Sequence, residues 1–205
     1  MLKIKDQIPQ AQPKKYFTAE EYLALEEAAE YKSEYYQGEI FAMAGASFNH
    51  NSVVINLGSE LHLALKNSPC RTFVSDLRVW VEAVELFTYP DLLVVCGEPE
   101  FYKNRNDTII NPVMIVEVLS DSTKSYDRGK KFEFYRSIPT LQEYILIDQY
   151  KIHVEQFYLD AEKKWGLLEF NRLSDILKLA KIDFQISLQD IYHHVEFAEG
   201  MAQSA

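Results

Sequence analysis

The chain has 205 residues, of which 47% are hydrophobic and 25% are charged, and its formal net charge is −10 at pH 7. This balance excludes an intrinsically disordered chain and predicts a globular protein with a substantial core. No apolar run reaches the ~18 residues of a membrane-spanning helix, and residues 1–15 lack the apolar segment of a secretory signal. Cys70 and Cys96 predict neither a disulfide framework nor a CxxC metal site. We therefore expect a soluble, cytoplasmic protein.

The first part of the chain is predicted to contain two helices separated by a hairpin. Thr18 begins a capping-box pattern, which predicts a helix that ends near Ala29. The pair Gln37-Gly38 predicts a tight turn between two short strands. Apolar residues at helical spacing then predict an amphipathic helix over residues 49–66.

The rest of the chain is predicted to be rich in strands. A partly alternating pattern predicts one strand over residues 72–81, and continuous apolar runs predict buried strands over residues 91–96, 112–119 and 143–148. The later predicted elements are a helix over 125–136, a hairpin formed by 152–159 and 165–171, and a short helix capped by Ser187. This order predicts an α/β fold with a central mixed sheet flanked by helices. We expect one domain over residues 16–197, with a flexible leader over 1–15 and a flexible tail over 198–205.

Two carboxylates interrupt the predicted buried strands. Glu117 lies in the middle of the run Val-Met-Ile-Val-Glu-Val-Leu, and Asp91 directly precedes Leu-Leu-Val-Val. A buried carboxylate without a partner is costly, so each acid needs a cation, a base or a proton. If the two strands pair, the acids converge and suit a hard divalent ion. Taken singly, each has another interpretation: a turn or cap residue for Asp91, and an edge position or arginine pair for Glu117.

Further candidates lie on the helices and turns. Lys131, on the helix after the Glu117 strand, either pairs with Asp127 on a solvated face or reaches back to act on a phosphate. Lys130 competes with it for that role. His50 begins the amphipathic helix and is, by its position alone, a core residue or a cap. The other acids near predicted strands and turns are Glu34, Glu39 and Asp76.

Several segments together resemble one known family. They are YYQGEI at residues 35–40, His50, YPD at 89–91, IVEVLSDST at 115–123, YDRGKK at 126–131 and EY at 143–144. These segments resemble the Uma2 family, a former domain of unknown function that is expanded in cyanobacteria, over about residues 16–160. The family is placed in the PD-(D/E)XK nuclease superfamily. The resemblance therefore implies a restriction endonuclease-like core and a Mg²⁺-dependent endonuclease that acts on DNA, with Mn²⁺ as a substitute ion.

The resemblance also implies roles for individual residues. Asp91 and Glu117 match the two metal-binding acids. The superfamily places a lysine two residues after the second acid, but Leu119 stands there in this chain, so that Lys131 on the next helix becomes the match. His50 matches a residue that positions groups or transfers protons. The acids that could complete the metal site are Glu39 and, less directly, Glu34.

Other functions remain open at the level of the sequence. A nuclease fold that binds or regulates without cutting is the main alternative, and it is favoured by the acidic net charge and by the missing local lysine. Hydrolysis of a different phosphodiester, such as a small nucleotide, is a third. The many aromatic residues, together with the hairpin and the final helix beyond the core, predict a homodimer.

Overall fold

The computed structural model of the protein describes residues 16–197. Its α-helices are α1 (Ala19–Ala28), α2 (Phe48–Ala64), α3 (Lys124–Tyr126), α4 (Phe132–Tyr135) and α5 (Leu188–Ile191). A π-helical turn (Asp127–Lys131) connects α3 to α4, and 3-10 turns lie at Leu65–Asn67 and Glu82–Val84. None of the helices within residues 16–197 combines the length and the apolar character that crossing a membrane requires. The predicted leader and tail lie outside the described residues.

The strands are β1 (Ser33–Tyr36), β2 (Glu39–Ala42), β3 (Cys70–Val74), β4 (Arg78–Val81), β5 (Leu86–Thr88), β6 (Leu92–Cys96), β7 (Thr108–Ile109), β8 (Met114–Leu119), β9 (Glu143–Asp148), β10 (Val154–Leu159), β11 (Trp165–Phe170), β12 (Ile176–Lys178) and β13 (Gln185–Ser187). The larger sheet has six strands in the order β11-β10-β9-β8-β6-β3. In it, β8 and β9 are parallel and the other neighbours are antiparallel. This mixed sheet confirms the predicted α/β class.

A second sheet, which was not predicted, has five strands in the order β2-β1-β5-β4-β7. Two of its members, β5 and β7, contain three and two residues, and such short strands show no periodicity in the sequence. The strands β12 and β13 form a separate small hairpin. The domain therefore contains more sheet than its longest apolar runs indicate.

The larger sheet separates two apolar layers. On one face, Val53, Leu57 and Leu61 of α2 pack against a cluster that includes Leu92 and Val116. On the other face, α4 packs against alternate residues of the same strands and against the second sheet. The predicted packing of the long amphipathic helix on the sheet is confirmed. Side chains of β8 alternate between the two layers, which is what turns Glu117 toward the α4 side.

Residues 72–81 do not form one strand, so this prediction was wrong. β3 belongs to the larger sheet and β4 to the second sheet. The chain changes sheets at a turn in which Ser75 has φ of 54°. Polar and apolar residues alternate in the same way in two short strands as in one long strand. The pattern therefore did not indicate the turn between β3 and β4.

The expectation that the two cysteines form no disulfide was also wrong. Cys70 and Cys96 stand opposite each other on β3 and β6 and are disulfide-bonded. They are 26 residues apart in the sequence, and strand pairing brings their Cα atoms to 3.9 Å. Their spacing in the sequence carries no sign of this proximity.

Candidate active site

Asp91 and Glu117 lie side by side on neighbouring strands. β6 and β8 pair with Leu92 opposite Val116, so Asp91, directly before β6, falls level with Glu117. Glu117 is only 4% exposed, whereas Asp91 is half-buried. The predicted neighbouring position of the two strands is confirmed. It brings together two acids that are separated in the chain by β6, an irregular connection and β7.

Both carboxylate oxygens of Asp91 have partners. Oδ2 accepts a hydrogen bond of 2.7 Å from the backbone N–H of Val118 on β8. Oδ1 lies 2.9 Å from Nε2 of His50. His50 is in the first turn of α2, where its own N–H donates to the N-cap Ser47. The first turn of α2 thus places the imidazole ring of His50 beside the two acids.

Lys131 is the counter-ion of the buried carboxylates. Its Nζ lies 2.9 Å from Oε1 of Glu117 and 3.5 Å from Oε1 of Glu34. Asp127 Oδ1 is a third neighbour at 3.7 Å. The lysine side chain is only 7% exposed. One ammonium group therefore serves three acids that come from β1, β8 and the π-helical turn.

The π-helical turn separates the two candidate lysines. Lys131 points into the cluster, whereas Lys130 is exposed and lies 3.4 Å from Oε2 of Glu133. The predicted pair of Asp127 and Lys131 is present, but both residues are buried and do not lie on a solvated face. Single π-helical turns inside α-helices are frequent at functional sites, because the wider turn redirects side chains.

Two residues that the sequence did not single out complete the cluster. The hydroxyl of Tyr135 donates a 2.8 Å hydrogen bond to Oε1 of Glu117. The hydroxyl of Thr88 donates to Glu34 and lies 3.3 Å from that of Tyr135. Both residues are completely buried. A signal was available for Tyr135, since it follows Lys131 by four residues and therefore lies on the same helix face.

Negative charge exceeds positive charge in this cluster. Four carboxyl groups (Glu34, Asp91, Glu117 and Asp127) accompany the ammonium group of Lys131. Burial raises the pKa of Glu117 to about 8 against the attraction of Lys131, and the nearby Asp91 and Asp127 add to the rise. Burial also raises the pKa of Asp127. Burial alone would lower the pKa of Lys131, but the surrounding acids outweigh it and raise that pKa well above its usual value.

The chemistry of these donors fits a hard divalent cation at Asp91 and Glu117. Within residues 16–197, no three His, Cys, Asp or Glu side chains converge on one point as a complete metal site. Mg²⁺ does not require three, because it is commonly held by one or two carboxylates and keeps several waters. The contacts of Glu117 with Lys131 and Tyr135 both use Oε1, so Oε2 would be the oxygen that binds a cation. A cation here would also offset the excess negative charge.

The remaining predicted residues lie in different places. Glu34 is in the cluster, whereas Glu39 begins β2 opposite Tyr36 and is half-buried. The role of Glu39 as a metal ligand stays a prediction. Asp76 lies in the turn after β3 and pairs with Lys32, so it is outside the cluster. Leu119, at the position where the superfamily places its lysine, is part of the apolar core.

Comparison with solved structures identifies the class of fold. A crystal structure described as "a putative nuclease belonging to DUF820", from Anabaena variabilis, matches with a TM-score of 0.72 and 21% identity. The match covers 86% of this chain and 97% of that one. The protein therefore has the α/β fold of that nuclease-class structure.

Sequence comparison identifies the family. The model of the Uma2 family, described as "Putative restriction endonuclease", matches residues 19–189, and the chain belongs to this family. Similar proteins occur in Synechocystis sp.: uncharacterized protein sll1609 is 46% identical over 155 residues, which cover 76% of this chain and 88% of that protein. Uncharacterized protein slr1290 is 34% identical over 178 residues, or 87% and 92% of the two chains. The resemblance to Uma2 is confirmed.

Proposed function

We propose that the protein is a Mg²⁺-dependent endonuclease that hydrolyses phosphodiester bonds of DNA. The observation that carries the proposal is the pairing of Asp91 with the buried Glu117 on neighbouring strands, with the ammonium group of Lys131 2.9 Å from Glu117. Two adjacent acids and a buried cation suit metal-assisted attack on a phosphate. The nuclease family and fold support the same reaction class.

Asp91 and Glu117 would hold the cation, which supplies Lewis-acid activation of water and neutralises charge on the phosphate. The backbone N–H of Val118 and the ring of His50 orient the carboxylate of Asp91 through its two oxygens. Glu117 would hold the cation as a carboxylate, because metal ligands bind in their deprotonated form. Both acids therefore act as ligands and not as proton donors.

Lys131 acts as a fixed positive charge in this mechanism. Its raised pKa keeps it protonated near neutral pH, so it donates hydrogen bonds and does not serve as a general base. With a cation at Glu117, Lys131 would still be held by Glu34 and Asp127. Its ammonium group can then stabilise charge that develops on the phosphate. His50 lies at the edge of the site with its side chain 13% exposed, so it would be placed to pass the proton of the attacking water to solvent.

The test is cleavage of supercoiled plasmid DNA in Mg²⁺ or Mn²⁺. We expect Asp91→Ala to abolish cleavage and chelation of the metal to do the same. Asp76→Ala is the matched control, because Asp76 is an acid outside the cluster with an 87% exposed side chain. Cleavage that persists in Asp91→Ala, or that needs no divalent ion, would overturn the proposal.

A binding or regulatory module without cutting activity is the second candidate. It is favoured by the arrangement around Lys131, whose charge is already matched by three carboxylates, and by the net charge of −10. This candidate predicts retention of DNA by the protein in the presence of Ca²⁺, with no cleavage in Mg²⁺ or Mn²⁺. The same plasmid assay, combined with a gel-shift measurement, separates the two functions.

The proposal includes a homodimer. Exposed apolar side chains at both edges of the larger sheet support self-association: Val74 on β3, and Leu167 and Leu168 on β11. Edge strands that expose apolar side chains commonly pair with another chain.

A further inference from the structure

The outer face of α2 and the strand β3 form an open apolar groove. Phe48, Ile55 and Leu63 of α2 are 77%, 60% and 65% exposed, and Val74 of β3 is 43% exposed. The three α2 residues are seven and eight positions apart, so they form one stripe along the helix. Cavities of about 360 and 420 Å³ adjoin each other here and share Ile55 and Val74. A continuous apolar surface of this kind marks an interaction site.

The chemistry of the groove favours a protein strand over a charged ligand. β3 is the outermost strand of the larger sheet, so one side of its backbone can accept a further strand. No Asp, Glu, Lys or Arg lines the two cavities, whose lining residues are Phe48, Asn51, Ser52, Val54, Ile55, Gly58, Ser59, His62, Leu63, Thr72, Val74 and Ser75. A groove without acidic side chains lets two copies of a chain with net charge −10 approach without repulsion between acids in the groove.

We propose that β3 pairs antiparallel with β3 of a second copy, about a twofold axis through Thr72. This register places Thr72 opposite its own counterpart and Arg71 opposite the counterpart of Phe73. The hydroxyl of Thr72 is buried and has no hydrogen-bond partner among residues 16–197. A rotation about χ1 turns it toward the axis, where two facing threonines can hydrogen-bond to each other. The dimer thus supplies a partner for a group that has none in the single chain.

The position of α2 agrees with this axis. At Gly58 the helix lies between Val74 of β3 and Leu92 of β6, which are 3.1 and 3.5 Å from the site of an added Cβ. Strands in a sheet are about 4.8 Å apart, so a helix above the gap between β3 and β6 lies roughly 5 Å from the axis. Its counterpart lies at the same distance on the other side. The two α2 helices are then about 10 Å apart, at the upper end of the range for packed helices.

This interface differs from the one expected from the sequence, which used the hairpin and the final helix. The hairpin strand β11 is the opposite edge of the same sheet, and it exposes Leu167 and Leu168 at 48% each. The two edges are far apart, so single substitutions distinguish them. The β3 dimer does not depend on nuclease activity and is tested without it.

The test is sedimentation equilibrium of the full chain. We expect a dimer whose Kd rises at least about 30-fold in Ile55→Glu, because a charge is placed at the centre of the contact. Leu168→Glu is the matched control and should leave the Kd unchanged. Both side chains are exposed, and thermal melting of each variant checks that the fold is retained.

Cross-linking tests the register. Thr72→Cys should form a disulfide-linked dimer on mild oxidation, because the axis brings the two side chains together, whereas Leu168→Cys and the unmodified chain should not. A protein that is monomeric at about 100 μM, well above the Kd of ordinary stable dimers, would overturn the proposal. So would a dimer that survives Ile55→Glu or one that is lost in Leu168→Glu.

Discussion

Glu117 combines two roles at the scale of a single residue. In the absence of a cation it is paired with Lys131 and Tyr135, and the same position beside Asp91 makes it the candidate metal ligand. These roles are compatible, because the contacts of Oε1 with Lys131 and Tyr135 hold the carboxyl group in place whether or not a cation is bound. Substitutions at Glu117 and Lys131 distinguish the structural role of Glu117 from its proposed role as a metal ligand.

Glu117→Gln should abolish Mn²⁺ binding while the protein remains folded. Lys131 keeps Glu34 and Asp127 as partners, so the loss of stability should be about 1–2 kcal/mol and below the ~3–5 kcal/mol of a stranded buried charge. Calorimetric titration with Mn²⁺ and urea unfolding measure the two effects. Glu133→Gln, at an exposed acid, is the control. A variant that melts much earlier yet binds Mn²⁺ as before would show that Glu117 is only structural.

Lys131→Met should destabilise the fold by roughly 3–5 kcal/mol, because it leaves several acids without their cation. Lys130→Met should change stability by no more than about 0.5 kcal/mol, as expected for a surface position. Adding Glu117→Gln to Lys131→Met should restore part of the lost stability. In the cleavage assay, Lys131→Met should lower kcat and retain Mn²⁺ binding, since it removes a competitor for Glu117. Equal effects of the two lysine substitutions would contradict the assignment.

The pKa of Glu117 predicts how stability depends on pH. It rises from its ordinary 4.5 to about 8 on folding, so between these values the folded protein holds a proton that the unfolded chain has lost. The resulting stabilisation is complete below the lower value and disappears as the pH rises through about 8. Urea unfolding of the metal-free protein should therefore show a fall in stability between pH 5 and pH 8.5 that is smaller in Glu117→Gln. Parallel pH profiles for the two proteins would exclude the raised pKa.

At the scale of elements, the helices and turns around the cluster determine which side chains reach it. The β1–β2 hairpin carries Glu34 inward, and its turn uses Gln37 and Gly38 at φ of 45° and 90°. The π-helical turn carries Lys131 into the same cluster. The hairpin turn contains Gly38 and the π-helical turn contains Gly129, and the two glycines have different surroundings.

Gly38→Ala should destabilise the protein by about 1–3 kcal/mol, because Gly38 has a positive φ and its added Cβ would lie 2.8 Å from Cδ1 of Tyr16. Gly129→Ala should instead stabilise it by up to about 1 kcal/mol, because Gly129 is inside a helical segment and nothing lies within 4 Å of its added Cβ. Thermal unfolding of both variants provides the comparison. Equal shifts in Tm would mean that backbone conformation does not govern these positions.

At the scale of the whole molecule, the net charge of −10 opposes binding to DNA. Phosphate neutralisation supplies most of the affinity of ordinary DNA-binding proteins, and under the proposed function a bound cation would supply it here. We therefore expect the gel-shift affinity for duplex DNA to fall at least tenfold when Ca²⁺ is replaced by EDTA. Asp91→Ala should show the same weak binding in both conditions. Tight binding in EDTA would mean that a basic surface, and not a cation, holds the DNA.

The long elements and the chemical candidates could be predicted from the sequence alone, because they depend on residues close together in the chain. Apolar spacing identified α2, continuous apolar runs identified β8 and β9, and capping residues located the starts of α1 and α5. The position of Glu117 within an apolar run predicted a buried carboxylate that needs a partner. The family resemblance came from short segments of the same kind.

Contacts between distant segments were decided only by the tertiary structure. Sheet pairing joined Cys70 to Cys96 and divided residues 72–81 between two sheets. The π-helical turn placed Lys131, and not its neighbour Lys130, beside Glu117. Packing of β1 and α4 then added Glu34 and Tyr135, together with Thr88. Local periodicity predicts which face of an element is apolar, but it does not predict which other element packs against that face. The site forms where several elements pack together, so only the tertiary structure could define it.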